Sequence, residues 1–197
     1  MRLFVALDIE DAIRERMARF VDGVRNFAPE ARWVKPESLH VTLKFIGEQP
    51  DEAVDGIKSA LGRLARGETE IRFRGYGFFP TATSARVFWI GLEAGSQLGA
   101  LAAAIDEALA PLGIAKEDRA FSPHLTLARG GGGSGVPGWR RGDSPNRGFA
   151  RLAEKLAAMA APEFGSMTAR EFFLYSSRLS PKGSTYTKQE RFPLQPL

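Results

Sequence analysis

Two copies of one tetrapeptide pattern, His40-Val41-Thr42-Leu43 and His124-Leu125-Thr126-Leu127, stand one in each half of this 197-residue chain and use both of its histidines. With 8 threonines in 197 residues, a histidine has roughly a 4% chance of a threonine two places on, and both match by accident about 0.2% of the time. The repetition is therefore treated as a design constraint. Its spacing is the strand period of two, which turns His40 and Thr42 to one face and Val41 and Leu43 to the other, into a core. His124 and Thr126, with Leu125 and Leu127 behind them, repeat the arrangement.

Other elements follow from periodicity. Leu3 to Leu7 is a continuous apolar run suited to a buried strand, and Asp8 then stands where it caps a helix marked by Ile9, Ile13, Met17, Phe20, Val21, Val24 and Phe27. A strand is predicted over 39–46, and a helix after Pro50 through Val54, Ile57, Leu61 and Leu64. Extended runs at 70–79 and 86–92, joined by a turn containing Pro80, predict an antiparallel pair. A helix through Leu98, Leu101, Ile105, Leu109 and Leu112, a strand at 124–129, a helix at 149–159 and strands at 170–177 and 184–192 complete the order. Strict βαβα alternation is missing, so the predicted class is α+β with antiparallel sheets.

Composition narrows the chemistry. The absence of cysteine excludes disulfides, thiolate zinc sites, iron–sulfur clusters and cysteine nucleophiles, and two histidines argue against a histidine-rich metal site. A two-histidine metal site would need carboxylates nearby, and neither tetrapeptide carries one. No metal and no cofactor are expected. The formal charge is +4, with 20 arginines against 7 lysines, which leans weakly toward an anionic ligand. No apolar run approaches the ~20 residues of a membrane span, and the N-terminus lacks the order of a secretory signal, so a cytoplasmic protein is expected.

Two imidazoles suit acid–base work. With ordinary pKa near 6.5, one histidine can accept a proton while the other donates one, each worth typically about 10²–10⁴ in rate. Beside them the threonine hydroxyls would hold phosphoryl oxygens whose charge grows in the transition state. The competing reading of each histidine is a hydrogen-bonded structural group on a strand.

The chain resembles the two-histidine phosphoesterases, and within them the RNA 2′,3′-cyclic phosphodiesterases first named 2′-5′ RNA ligases. The segments that carry the resemblance are MRLFVALDI, WVKPESLHVTLKFIGE, FSPHLTLAR and FFLYSSRLSPKGSTYTKQERFPL. It implies one bilobal domain over 1–197, with pseudo-twofold symmetry and two antiparallel β-sheets flanked by helices around a central cleft, one motif per lobe. It further implies His40 as proton donor, His124 as proton acceptor, and Thr42 and Thr126 as phosphate-binding residues. The implied reaction opens a terminal 2′,3′-cyclic phosphate to a 2′-phosphate, with reversible 2′-5′ RNA ligation as a companion reaction. RNA ends, tRNA fragments among them, are the implied partner, and a monomer is expected.

The resemblance also matches Arg129 to a phosphate or ribose contact, although strict alternation puts it on the face opposite His124. Lys44 falls on the His40 face by the same rule, as an added cation beside the phosphate or as a solvated strand end. Phe45, Phe121 and Tyr186 are candidates to stack on a base. Core packing is the favoured reading for Phe45 and Phe121, and a cleft edge for Tyr186. The glycine run 130–135 lacks the Lys-Ser/Thr ending of a nucleotide phosphate loop; it reads as a hinge, with Arg140, Arg141 and Arg147 in the 130–148 loop either swung over RNA as a basic flap or, the favoured reading, merely solvated. Rival functions are a cyclic phosphodiesterase acting on small nucleotides or ADP-ribose cyclic phosphate, and a non-catalytic RNA-end binding module.

Overall fold

The first strand, β1 (Arg2–Asp8), is buried from Leu3 to Leu7 because it is paired along both edges. Leu3, Val5 and Leu7 enter a large core, while Phe4 and Ala6 enter a smaller cluster on the other face with Phe173 and Tyr175. The computed structural model describes residues 1–81, 84–130, 147–180 and 183–196. The remaining strands are β2 (Arg32–Trp33), β3 (His40–Glu48), β4 (Thr69–Phe79), β5 (Val87–Ala94), β6 (His124–Arg129), β7 (Glu163–Ala169), β8 (Glu171–Ser180) and β9 (Gly183–Pro193). They form two sheets, ordered β3-β1-β8-β9 and β2-β6-β5-β4-β7, antiparallel throughout. With helices α1 (Asp11–Val24), α2 (Val54–Gly62), α3 (Ser96–Leu109) and α4 (Arg147–Ala157), the class is α+β.

Helices cross between the halves. Although α1 follows β1 in the chain, it packs on β7 of the other sheet, where Phe20 meets Phe164 edge-on at 5.3 Å and the Arg16 guanidinium donates to the Phe164 carbonyl at 3.0 Å. In the opposite sense, α3 packs on β3, and α2 lies against both α3 and β9. One continuous apolar core, from Leu3 to Leu194, results.

Three expectations are corrected. Asp8 does not cap α1 with its side chain; Glu10 is the N-cap, and the Asp8 carboxylate accepts from Ile9 N–H and from Arg14 and Lys188. Arginine and lysine donors, brought in by folding, hold it away from the helix terminus. The helix itself closes at Val24, and residues 25–27 tighten into a 3-10 turn. Strand β7 went unread because Gly165 sits at φ +105°, breaking the alternation of EFGSMTA, with the Arg16 guanidinium where a side chain would be. The proposed flap falls mostly at 131–146, outside the described residues, as do the side chains of Arg147 and Gly148.

Candidate active site

Strands β3 and β6 lie beside each other although they belong to different sheets. In each, the motif alternates as its period requires: His40, Thr42, His124 and Thr126 are half-buried, whereas Val41, Leu43, Leu125 and Leu127 are in the core.

Past the motifs, both strands break register at the same place. On β1, Val5 pairs with Lys44 but Ala6 pairs with Thr42, leaving Leu43 as an extra residue. On β5, Phe88 pairs with Ala128 but Trp89 pairs with Thr126, leaving Leu127 as the extra residue. A bulge of this kind re-aims every following side chain. Lys44 and Ala128 therefore face the core, while Phe45 and Arg129 swing to the histidine side.

Two alternation-based expectations fall with this. Lys44 is 2% exposed rather than beside a phosphate, and its ammonium donates to Asp106 at 2.5 Å and to the Ala115 carbonyl at 2.6 Å. Arg129, expected on the opposite face, instead lies close enough for its charge to act on both imidazoles. Phe45 is also corrected: it is 56% exposed, on the side of Phe4, at 6.2 Å between ring centroids. Phe121 is half-buried against the main core, in keeping with its packing role. Tyr186 meets both His40 and Phe4 edge-on, at 5.1 and 5.2 Å.

Each histidine is held alike. His40 Nδ1 is 2.8 Å from the Ser38 carbonyl and His124 Nδ1 is 2.8 Å from the Ser122 carbonyl, in both cases two residues upstream. A carbonyl only accepts, so Nδ1 carries the hydrogen and Nε2 is left for chemistry. Burial is the largest influence on both and lowers their pKa below 6.5; the carbonyl contacts oppose it and the Arg129 charge reinforces it. Arg129 is itself pushed below its ordinary value by burial and by Arg32 and Arg2, with Tyr186 acting the other way.

Aromatic walls flank each ring. Phe4 (4.9 Å), Tyr186 (5.1 Å) and Tyr175 (6.3 Å) surround His40, and Phe79 (5.1 Å) and Trp89 (6.2 Å) surround His124. Trp89 fits because Gly77 opposite it has no Cβ; one would lie 2.1 Å from the indole. Of these walls, sequence reading found Tyr186 alone; Phe4, Tyr175, Phe79 and Trp89 were missed. Among the described residues, no three or more His, Cys, Asp or Glu side chains gather as a metal-holding set.

This arrangement offers two imidazole Nε2 atoms, two hydroxyls and a guanidinium on adjoining strands, a set suited to proton transfer around a phosphoryl group. The model of the LigT-like phosphoesterase family matches residues 7–89 and again 90–186, once per motif. An RNA 2′,3′-cyclic phosphodiesterase of Archaeoglobus fulgidus is 34% identical over 94% of this chain and 96% of its own. One of Methanothermobacter thermautotrophicus is 33% identical over 98% and 99%. Among solved structures, a Thermus thermophilus protein superposes with a TM-score of 0.76 at 30% identity, covering 98% of this chain and 97% of that one. Escherichia coli LigT complexed with 3′-AMP does so with a TM-score of 0.76 at 26% identity and the same coverage.

Proposed function

The chain belongs to the LigT-like phosphoesterases, and from that premise we propose that it hydrolyses RNA 2′,3′-cyclic phosphate ends by two-histidine acid–base catalysis. The observation that carries this reading is the pair of matched imidazoles on adjoining strands, each with Nδ1 tied to a carbonyl so that Nε2 carries the lone pair. In the reaction, His124 Nε2 takes a proton from water as its oxygen bonds to phosphorus. The bond from phosphorus to the 3′ oxygen breaks, and His40 Nε2 delivers a proton to that oxygen. The products are a 2′-phosphate and a 3′-hydroxyl. Thr42 and Thr126 donate to the non-bridging oxygens, Arg129 neutralises their growing charge, and no group outside the chain is required. With a 5′-hydroxyl in place of water the same groups keep their roles: His124 takes the proton of the 5′-hydroxyl as its oxygen bonds to phosphorus, the bond to the 3′ oxygen breaks with a proton from His40, and a 2′-5′ bond is joined.

Phe45 supplies an exposed ring beside this site for the terminal base, with Tyr186 and Phe4 behind it. Incubating the protein in chelator with an oligonucleotide ending in a 2′,3′-cyclic phosphate, and locating the product phosphate, tests the reading. A 2′-phosphate is expected, and an unchanged end or a 3′-phosphate overturns it. Comparing mononucleotide with oligonucleotide turnover separates an RNA-end enzyme from one built for small cyclic nucleotides. Tight, salt-sensitive binding without product would mark a pure binder.

A further inference from the structure

The two motifs are alike along their own strands but not across to the next one. In each sheet the motif histidine pairs with a residue of the neighbouring strand: Asp8 of β1 opposite His40, and Gly91 of β5 opposite His124. One histidine thus has a carboxylate at its side, and the other has no side chain there at all. A Cβ on Gly91 would lie 2.5 Å from the Arg74 carbonyl, so the second lobe has no room to carry the same group.

Asp8 is also wired to the turn that holds His40. The Arg14 guanidinium donates to Asp8 Oδ1 at 2.6 Å and to the Ile9 carbonyl at 3.0 Å, and its other nitrogen donates to the carbonyls of Pro36 at 2.6 Å and Leu39 at 3.4 Å. Those two carbonyls bracket Ser38, whose own carbonyl accepts from His40 Nδ1. On the other carboxylate oxygen, Lys188 of β9 donates at 2.7 Å. We infer that Asp8, held by Arg14, is a positioning residue for His40, whose negative charge helps that ring hold the proton it delivers.

This inference rests on the functional reading above. Among the described residues, the charged and titratable groups around His40 are Asp8 from β1, Arg14 from α1, Arg129 from β6, Tyr175 from β8, and Tyr186 and Lys188 from β9. Of these, Asp8 is the carboxylate; it favours the imidazolium, while Arg129 and Arg14 oppose it. Among the described residues, the charge that acts on His124 is Arg129, which disfavours the imidazolium. The charge that favours an imidazolium therefore stands beside His40.

Because the chain has two histidines, its imidazole NMR spectrum contains two titrating rings, assigned with His40→Ala and His124→Ala. Asp8→Asn is expected to move the His40 titration down by about half a unit or more and leave His124 in place. Lys188→Met, at an exposed position, removes a cation from Asp8 and is expected to move His40 up. Asp8→Glu restores the wild-type titration. In turnover above the His40 pKa, Asp8→Asn lowers kcat with KM little changed. A His40 titration unmoved in both variants overturns the inference, as does a parallel shift of the two rings, which would report a general change of fold. Absence of turnover by the wild-type protein would instead overturn the functional reading while leaving the NMR asymmetry of the two rings visible.

Discussion

His40 and His124 each gain an acceptor for Nδ1 from the chain two residues upstream, so the tautomer is set locally. Burial then lowers both pKa values, and the sign of the pH dependence follows. As the acceptor, His124 stays neutral to pH values below 6.5, whereas His40, as the donor, loses its proton before pH 6.5 is reached. The pH–rate profile of kcat/KM for the free enzyme should therefore peak on the acid side of neutrality, and a maximum near pH 8 would contradict these roles. Replacing either histidine with alanine should reduce kcat by at least about 10²-fold. Arg129→Gln removes a cation that both rings feel, so both imidazole titrations should move up while affinity for the cyclic phosphate falls about tenfold or more. Histidine NMR and substrate titration check the two halves of that statement separately.

At the scale of elements, the decisive feature is a bulge used twice. Leu43 and Leu127 are the extra residues, and the side chains beyond them change face. Period-two reading placed the four motif residues correctly with respect to the core but failed one step later, at Lys44, Phe45 and Arg129. The failure has a physical cause: a bulge is a property of two paired strands, and the partners Val5, Ala6, Phe88 and Trp89 lie far away in sequence. Lys44 illustrates the consequence, since its buried ammonium is matched by Asp106 of α3 and the Ala115 carbonyl. Asp106→Ala should strand that charge and cost about 3–5 kcal/mol of unfolding free energy, while the double change Lys44→Met with Asp106→Leu costs much less. Denaturant unfolding of the two variants decides between them. If both lose the same stability, the charge pairing is not what holds β3 to α3.

For the whole molecule, the crossing of α1 onto β7 and of α3 onto β3 means that each half of the chain covers part of the other's sheet. A fragment ending at Ala94 would expose the core face of β3 where α3 now packs, and would leave α1 without Phe164. Such a fragment should be unfolded by circular dichroism, and the full chain should unfold in a single transition by both fluorescence and circular dichroism. A stably folded half would show that the exchange of helices is ornamental. Most of the elements, the antiparallel α+β class and the facing of the four motif residues were readable from the chain because they rest on local patterns: alternation, helical spacing and a repeated tetrapeptide. Resemblance carried the reading further, to a family and its reaction. The aromatic walls other than Tyr186, the bulges and the partners of Asp8 were not readable, because they depend on residues distant in the chain; Lys188 lies 180 positions from Asp8. Local order fixes which groups a strand presents. The difference between two identical tetrapeptide patterns, a carboxylate beside one histidine and a bare glycine beside the other, exists only across strands, where folding chooses the neighbour.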